Sequence, residues 1–574
     1  MLSALLLLGA GCIASPFSRD ANRLTYLDES DPYYVGLNFP KLTTPQWVGE
    51  PGVAAVVVLA IDDMRGHEPW ERYLRPILER LKRLDGRAPV SIMTCAVDPQ
   101  HPHLQTWLRE GLSLETHTID HPCPLLAGGD LAKAKSTYDR CVDLLASVPG
   151  NRPVAFRVPC CDSLNTPSPR FFAEIFNGTT PAGRFLAIDS SVFNVLTGAD
   201  PLLPRRLVLD DDGTEKFRKY LPADRTFVNT IENYPYPYVI GRLCWEFPCV
   251  TPSDWEAQHF QQPNNPRTVA DLKAALDAIV LKQGVFCLVF HPHGWIRNDQ
   301  VIELIDHAQA THGGRIKFLT FREAYDRITA NLLAGQPLRA ADGSDNGVRL
   351  LDLNNDGFQD VLIANDRLQR TRLWSPAASA WIERPFPLTR LDAGAHFGIV
   401  DDQKLVLISP EAALRFEGAE WTPDGALMGD PGGASGYRLR DLDRDGGCEL
   451  IVGRAVYRWT GSGWEWTRAD LPSALLDERG RDNGVRFVDL DGDGREELVV
   501  SNEEGWSVHR FEASSEGAWR RVAGGGRGEI PRIVRDGTNN GAWFHSGHLW
   551  VQNEETATLP DHVDRRRFGQ LLGR

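Results

Sequence analysis

The stretch "AAVVVLAIDDM", residues 54–64, decides how the N-terminal half is read. It is short, rich in valine and preceded by Pro51 and Gly52, so it reads as a buried strand. A buried strand does not ordinarily finish in two adjacent carboxylates, because an unpaired buried charge is costly. Asp62 and Asp63 therefore call for partners from elsewhere in the chain.

Working outward, residues from about 50 to 330 alternate strands with helices. "EPWERYLRPILERLKRL" repeats apolar residues at three and four, as on an amphipathic helix. "PVSIMTC", "LSLETHTI", "PVAFRVP", "VFCLVF" and "IKFLTF" read as strands, with helices at "HLQTWLREG", "LAKAKSTYDRCVDLLASV", "RTVADLKAALDAIVLKQ", "VIELIDHAQA" and "REAYDRITANLL". Repeated βα units predict a parallel sheet, open or closed into a barrel. Residues 200–265, rich in Pro, Tyr and Asp, read as an insertion of loops.

Four polar clusters stand at or just beyond strand ends: "DD" at 62–63, "HTIDHP" at 117–122, "FRVPCCDS" at 156–163 and "FHPHGW" at 290–295. In a parallel α/β sheet the carboxyl ends of the strands share one face, where ligands bind. His117 and His121 are four apart, which would set both imidazoles on one side of a helical turn. Two histidines and one carboxylate form a common catalytic zinc set. One aspartate can then ligate while the other takes a proton, and His291 or His293 can protonate a leaving group. An HxxxH pair or a DD pair alone also occurs as plain surface or turn sequence. A thiol nucleophile at Cys160 or Cys161 is the rival chemistry, against the commoner buried structural cysteine.

The ordered set, over roughly residues 50–330, resembles the polysaccharide deacetylase family (carbohydrate esterase family 4), whose fold is a distorted (β/α) barrel. "AIDDM" stands for its TFDDG motif, which implies Asp62 as catalytic base and Asp63 as metal ligand. His117, Thr118 and His121 meet H-[ST]-x-x-H, which implies both histidines as ligands. Arg157-Val158-Pro159-Cys160 stands for R-x-P-Y, implying that Arg157 orients the base and the Cys160 backbone N–H serves the oxyanion. Leu288 and His291 meet L-x-x-H, implying His291 as general acid, and "AIDSS" loosely resembles a further motif in which Asp189 holds that histidine. Met64 replaces a motif glycine and Cys160 an aromatic residue. The implied activity is metal-assisted removal of N- or O-linked acetyl groups from a polysaccharide, with Zn²⁺ or another divalent transition metal. The alternatives are an amidohydrolase acting on a cyclic amide or imide, a related branch of the fold, and a non-catalytic carbohydrate-binding protein.

After "AGQPLRAADGSDNG" the pattern changes to short strands separated by Gly, Asp and Asn. "DLNNDGFQDVLIAND", "DLDRDGGCELIVGR" and "DLDGDGREELVVSN" repeat one unit. The last two begin 48 residues apart and the first two 89, so a degenerate copy is expected at "GIVDDQKLVLISP", and "RIVRDGTNNGAWFHSGHLWVQN" offers a fifth. A period in the forties with several strands per copy is propeller-like. Each unit carries alternate oxygen donors, a glycine and a further acid: Asp352, Asn354, Asp356 and Asp360; Asp441, Asp443, Asp445 and Glu449; Asp489, Asp491, Asp493 and Glu497. Such a cage suits Ca²⁺ in a structural role, against metal-free Asp-Gly turns. The units resemble FG-GAP or VCBS repeats, which join propeller strands through calcium loops. A protein or glycan ligand for this half is expected, for adhesion or targeting.

The expected organisation is a leader at 1–18, an α/β barrel at 19–335, an all-β propeller-like repeat region at 336–560 and a basic tail at 561–574. "MLSALLLLGAGCIAS" reads as a signal peptide, or as a lipoprotein segment lipidated at Cys12, or as neither. Export follows from the first two readings. The net charge of −15 argues against a nucleic-acid partner. Ten cysteines make no disulfide scaffold at this length; Cys244 and Cys249 are placed to close a small loop, while Cys95, Cys123, Cys141 and Cys287 read as buried thiols.

Overall fold

The computed structural model describes residues 20–36, 39–45, 47–126, 129–162, 167–222, 229–392, 394–401, 403–428, 437–512, 518–559 and 562–574. The leader, with Cys12, lies outside them.

Twelve strands build the sheet of the N-terminal half: β1 (Ala55–Met64), β2 (Val90–Thr94), β3 (Ser113–Thr116), β4 (Ala155–Phe156), β5 (Ile188–Asp189), β6 (Phe193–Val195), β7 (Thr230–Glu232), β8 (Tyr238–Ile240), β9 (Cys244–Glu246), β10 (Cys249–Val250), β11 (Val285–Phe290) and β12 (Ile316–Phe318). Their order is β7-β6-β10-β11-β1-β2-β3-β4-β5-β9-β8, with β12 also on β1. The β8–β9 pair is antiparallel, and β1 runs parallel to β11, β12 and β2. Along β1 the side chains alternate. Val57, Leu59 and Ile61 pack with Leu74, Ile77 and Leu78 of the helix His67–Asp85. Val56, Val58 and Ala60 face Phe156, Ile188, Phe193 and Val289 across the inside of the sheet. Burial on both faces explains the unbroken apolar run of residues 54–61.

The sheet is curled. β5 and β6 lie on opposite arms of it, yet only residues 190–192 join them. The four Cα steps from Asp189 to Phe193 span about 14 Å at most, so the two arms must approach each other. Ser190 Oγ marks the seam, 3.4 Å from Cys249 Sγ and 3.5 Å from Cys287 Sγ on the far arm. The loop insertion expected at 200–265 is not observed as such: it supplies β7 to β10 and the helix Asp254–Phe260. These strands are two or three residues long, too short to show a period in sequence.

The second half is a series of separate antiparallel sheets. Four have four strands each, spanning Val348–Pro385, His396–Pro423, Tyr437–Trp466 and Val485–Gly525; a strand pair and a three-stranded sheet follow. The degenerate unit at 398–410 lies in the second of these sheets. Asp564–Arg567, expected in a tail, is the third strand of the last sheet and pairs with His548–Val551.

Residues 20–35, expected with the barrel, run instead along the first strands of these sheets. The Tyr26 hydroxyl donates to Leu350 O at 3.3 Å, and the Asn22 side chain accepts from Asp441 N at 2.8 Å. Asp28 pairs with His396 at 3.0 Å and Arg438 at 3.5 Å. Burial opposes the Asp28 charge, but Arg438 and His396 win and hold its carboxyl well below the usual range. Tyr33, fully buried, packs against Trp543 and donates to Pro167 O at 3.1 Å, touching both halves. Tyr33→Ala is expected to lower stability by about 3–5 kcal/mol through the cavity it leaves. Tyr33→Phe should cost only about 1 kcal/mol for the lost hydrogen bond. Urea midpoints of the two variants and the parent check both values.

Candidate functional site

The adjacent aspartates are explained by a break in the strand that carries them. The register of β1 against β2 shifts between Ile61 and Met64, and Asp63 has φ 72°. A bulge of this kind interrupts the alternation of side chains and re-aims one of them. Asp62 and Asp63 thus both find partners at the carboxyl end of the sheet.

Asp62 is buried, and its Oδ1 accepts from Arg157 Nη1 at 2.8 Å. Arg157 is itself fully enclosed: Nε donates to Ser190 O at 2.7 Å and Nη2 to Ser190 Oγ at 2.9 Å. Although burial works against the guanidinium charge, Asp62 and the neighbouring thiols raise its pKa well above normal. A pair held this way has one available geometry, and removing either partner leaves an uncompensated buried charge worth about 3–5 kcal/mol.

Asp63 Oδ1 lies 2.7 Å from His121 Nε2 and 3.3 Å from His117 Nε2. His117 Nδ1 lies 2.8 Å from Arg157 O. A carbonyl oxygen can only accept, so Nδ1 donates to it, and Nε2 is the ring atom turned toward the carboxylate. An imidazole nitrogen and a carboxylate oxygen 3.3 Å apart are spaced as two ligands of one metal ion would be. His121 Nε2, buried and without a well-aligned hydrogen-bond partner in the protein, points to the same place. The three donor atoms lie within 4.8 Å of one another, a set suited to zinc and similar divalent metals. Burial would raise the Asp63 pKa, but the imidazoles of His117, His121 and His293 around it hold it well below the carboxylate range.

The helical turn expected between His117 and His121 is absent. The chain leaves β3 in a bend, with Thr118 at φ 63° and His121 at φ 53°. Cys160 is left-handed too, at φ 58°. Such non-glycine residues cost on the order of 1–2 kcal/mol each and gather where a site fixes the backbone. Cys123, expected as a buried thiol, is disulfide-bonded to Cys160, which ties the histidine loop to the Arg157 loop. Cys244 and Cys249 are free, because they head strands with different neighbours: β9 pairs β5 and β8, while β10 pairs β6 and β11.

His291, at the end of β11, is held by Asp254 and not by Asp189. Its Nδ1 lies 2.7 Å from Asp254 Oδ1, and its backbone N–H donates to Asp254 Oδ2 at 2.8 Å. Burial lowers its pKa, but Asp254, Asp63 and Asp62 together raise it to about 10. Asp189 sits under the Arg157 loop: it accepts from Ser191 Oγ at 2.9 Å, and Ser191 Oγ accepts from Val158 N. Asp254 lay in the segment read as loops. The box Ser253-x-x-Glu256 in "SDWE", which caps the helix Asp254–Phe260, was the signal available. His293 Nε2 lies 2.9 Å from Asp63 Oδ2, on the outer side of the set.

In the second half the acidic loops fold on their own backbone. Asp352 Oδ2 accepts from Gly357 N, Asp441 Oδ2 from Gly446 N and Asp489 Oδ2 from Gly494 N, at 2.9–3.1 Å. The last acid of each loop accepts from the residue after the first: Asp360 from Leu353 N, Glu449 from Leu442 N and Glu497 from Leu490 N, each at 2.9 Å. Asp356 accepts from Phe358 N and from the Asn354 side chain, Asp443 from Asp445 N, Asp445 from Gly447 N, Asp491 from Asp493 N and Asp493 from Arg495 N. Arg458 reaches Asp443 and Glu449, and Arg510 reaches Asp491 and Glu497. Part of the mutual repulsion of these carboxylates is therefore relieved by arginine.

No protein-family model and no curated protein matches the chain. Among solved structures, the catalytic domain of a peptidoglycan N-acetylglucosamine deacetylase from Eubacterium rectale matches at 14% identity, over 47% of this chain and 90% of that one, with TM-score 0.26. Peptidoglycan deacetylase PdaC from Bacillus subtilis matches at 15% identity over 49% and 94%, with TM-score 0.25. Puue allantoinase matches at 12% identity over 50% and 95%, with TM-score 0.34. At these scores the likenesses decide nothing about the chemistry of this chain.

Proposed function

We propose that this chain is a metal-dependent hydrolase that removes acetyl groups from a polysaccharide. The observation that carries the reading is the meeting of three assemblies at one end of the curled sheet: Asp62 on Arg157, Asp63 with His117 and His121, and His291 on Asp254. Asp63, His117 and His121 would hold the cation, which would supply Lewis acidity for an acetyl carbonyl and a lower pKa for the attacking water. Arg157 holds the Asp62 carboxylate in one position, where it is placed to take a proton from that water. The Cys160 backbone N–H is assigned to the developing oxyanion. His291, kept protonated by Asp254, delivers its proton to the departing amine or alcohol.

For the second half we propose a five-bladed propeller of FG-GAP or VCBS type around residues 20–35, with Ca²⁺ in the loops at Asp352, Asp441 and Asp489. The first strands of four sheets meet the 20–35 segment at Leu350, His396, Arg438 and Trp543, and Arg486 of a fifth lies close enough to act on the Glu29 charge, which supports it. Adhesion or glycan targeting and an exported location complete the reading. No helix among the described residues is long and apolar enough to cross a membrane.

Acetate release from a panel of acetylated glycans tests the activity. Zinc-loaded parent protein is expected to release acetate, and Asp63→Ala to release none. Asp62→Asn should keep its metal and lose about 10²–10⁴-fold in kcat, the usual contribution of a general base. Release from no glycan by metal-loaded protein would overturn the reading. The pH profile tests His291: as an acid it is active below its pKa, so activity falls as pH rises through it. Asp254→Asn removes the strongest stabiliser of the imidazolium and is expected to move the alkaline limb down by about one unit or more. An unmoved limb would remove His291 from the acid role. Calcium removal by chelation is expected to lower the thermal midpoint, since a ligand at about 100 times its Kd contributes about 2.7 kcal/mol.

A further inference from the structure

A second set with the same donor types lies outside this site. Asp277 is on the helix Pro266–Lys282, and His307 and His312 are on the helix Asn298–His312. His307 Nε2 is 2.8 Å and His312 Nε2 2.7 Å from the same oxygen, Asp277 Oδ1. The two rings approach that point at 85° to each other, with centroids 6.2 Å apart. All three donors lie within 4.8 Å of one another, and the side chains are only 9–26% exposed.

The place is far from the catalytic end. Asp277 is near the end of a helix that returns to the start of β11, and His307 and His312 occupy the closing turns of a helix that returns to the start of β12. Both helices run back against the sheet, so the cluster sits by the amino ends of the strands, whereas His291 follows the carboxyl end of β11. The two helices bracket β11. A Lys273–Glu303 ion pair at 2.6 Å joins them about one helical turn away, so an ordinary cross-helix contact is already present. The mechanism above uses none of the three residues.

We propose that Asp277, His307 and His312 form a second transition-metal site, a zinc-class clip joining the two helices that flank the strand leading to His291. Imidazole nitrogens with one carboxylate select zinc-like cations over calcium, and three protein ligands leave a fourth position for water. The present N–O separations need to open by only about 0.5 Å to admit a cation bonded at about 2.0 Å to each ligand.

The test uses the full chain carrying Asp63→Ala, stripped of metal and supplied with excess calcium to occupy oxygen cages. Co²⁺ is titrated in and followed by its d–d absorption, with bound zinc counted by elemental analysis. The expected result is one tightly bound equivalent, lost when His307→Gln and His312→Gln are added. No stoichiometric binding by the Asp63→Ala protein would overturn the proposal, as would equal binding after the two histidines are replaced. If the combined variant does not fold, the thermal shift decides: zinc should raise the midpoint of Asp63→Ala but not of Asp63→Ala/Asp277→Asn, and equal shifts would overturn it. Because catalysis is not measured, failure of the deacetylase reading leaves this result intact.

Discussion

The buried pair of Arg157 and Asp62 is the constraint on which the carboxyl end of the sheet depends. Arg157 hangs from β4, reaches Asp62 on β1, and is held by Ser190 at the seam where the sheet closes on itself. Its Nη2 also lies 3.3–3.4 Å from Cys287 and Cys249 on the opposite arm. A charge enclosed on all sides must have each N–H answered, and here the answers come from four separate strands or links. The curl of the sheet and the fixed position of Asp62 are two aspects of one arrangement.

From that pair the rest of the site is set by backbone. The Arg157 carbonyl fixes the orientation of the His117 ring, which in turn aims Nε2 at Asp63. The bulge in β1 separates the duties of two neighbouring acids, and the Cys123–Cys160 disulfide keeps the histidine and arginine loops at a fixed distance. The second half is joined by its own device. Residues 20–35 place Asp28 between Arg438 and His396, and Tyr33 between Trp543 and Pro167, so the chain's first described residues bind the two halves together.

Much of this was legible in the chain. The unbroken apolar run of β1, the amphipathic periods of the long helices and the repeated Asp-Gly units each reflect a local rule, so the βα region and the run of short antiparallel sheets could be read directly. The pairing of Asp254 with His291 could not, because the helix Asp254–Phe260 follows strands too short to show a period and its capping box gives no partner. The same reason hid β7 to β10 in a region that resembled loops. Cysteine pairing was misread for a different cause: Cys244 and Cys249 are close in sequence, whereas Cys123 and Cys160 are brought together only by loops that leave neighbouring strands.

The sequence by itself determined which residue types are available at strand ends, in what order, and where the alternation of elements changes to a repeat. That information is local, carried by hydrophobic period and turn chemistry. Which carboxylate faces which histidine was decided by tertiary structure alone. A bulge, three left-handed residues and a short link across the curl set those directions, and each is held in place by contacts between segments far apart in the chain.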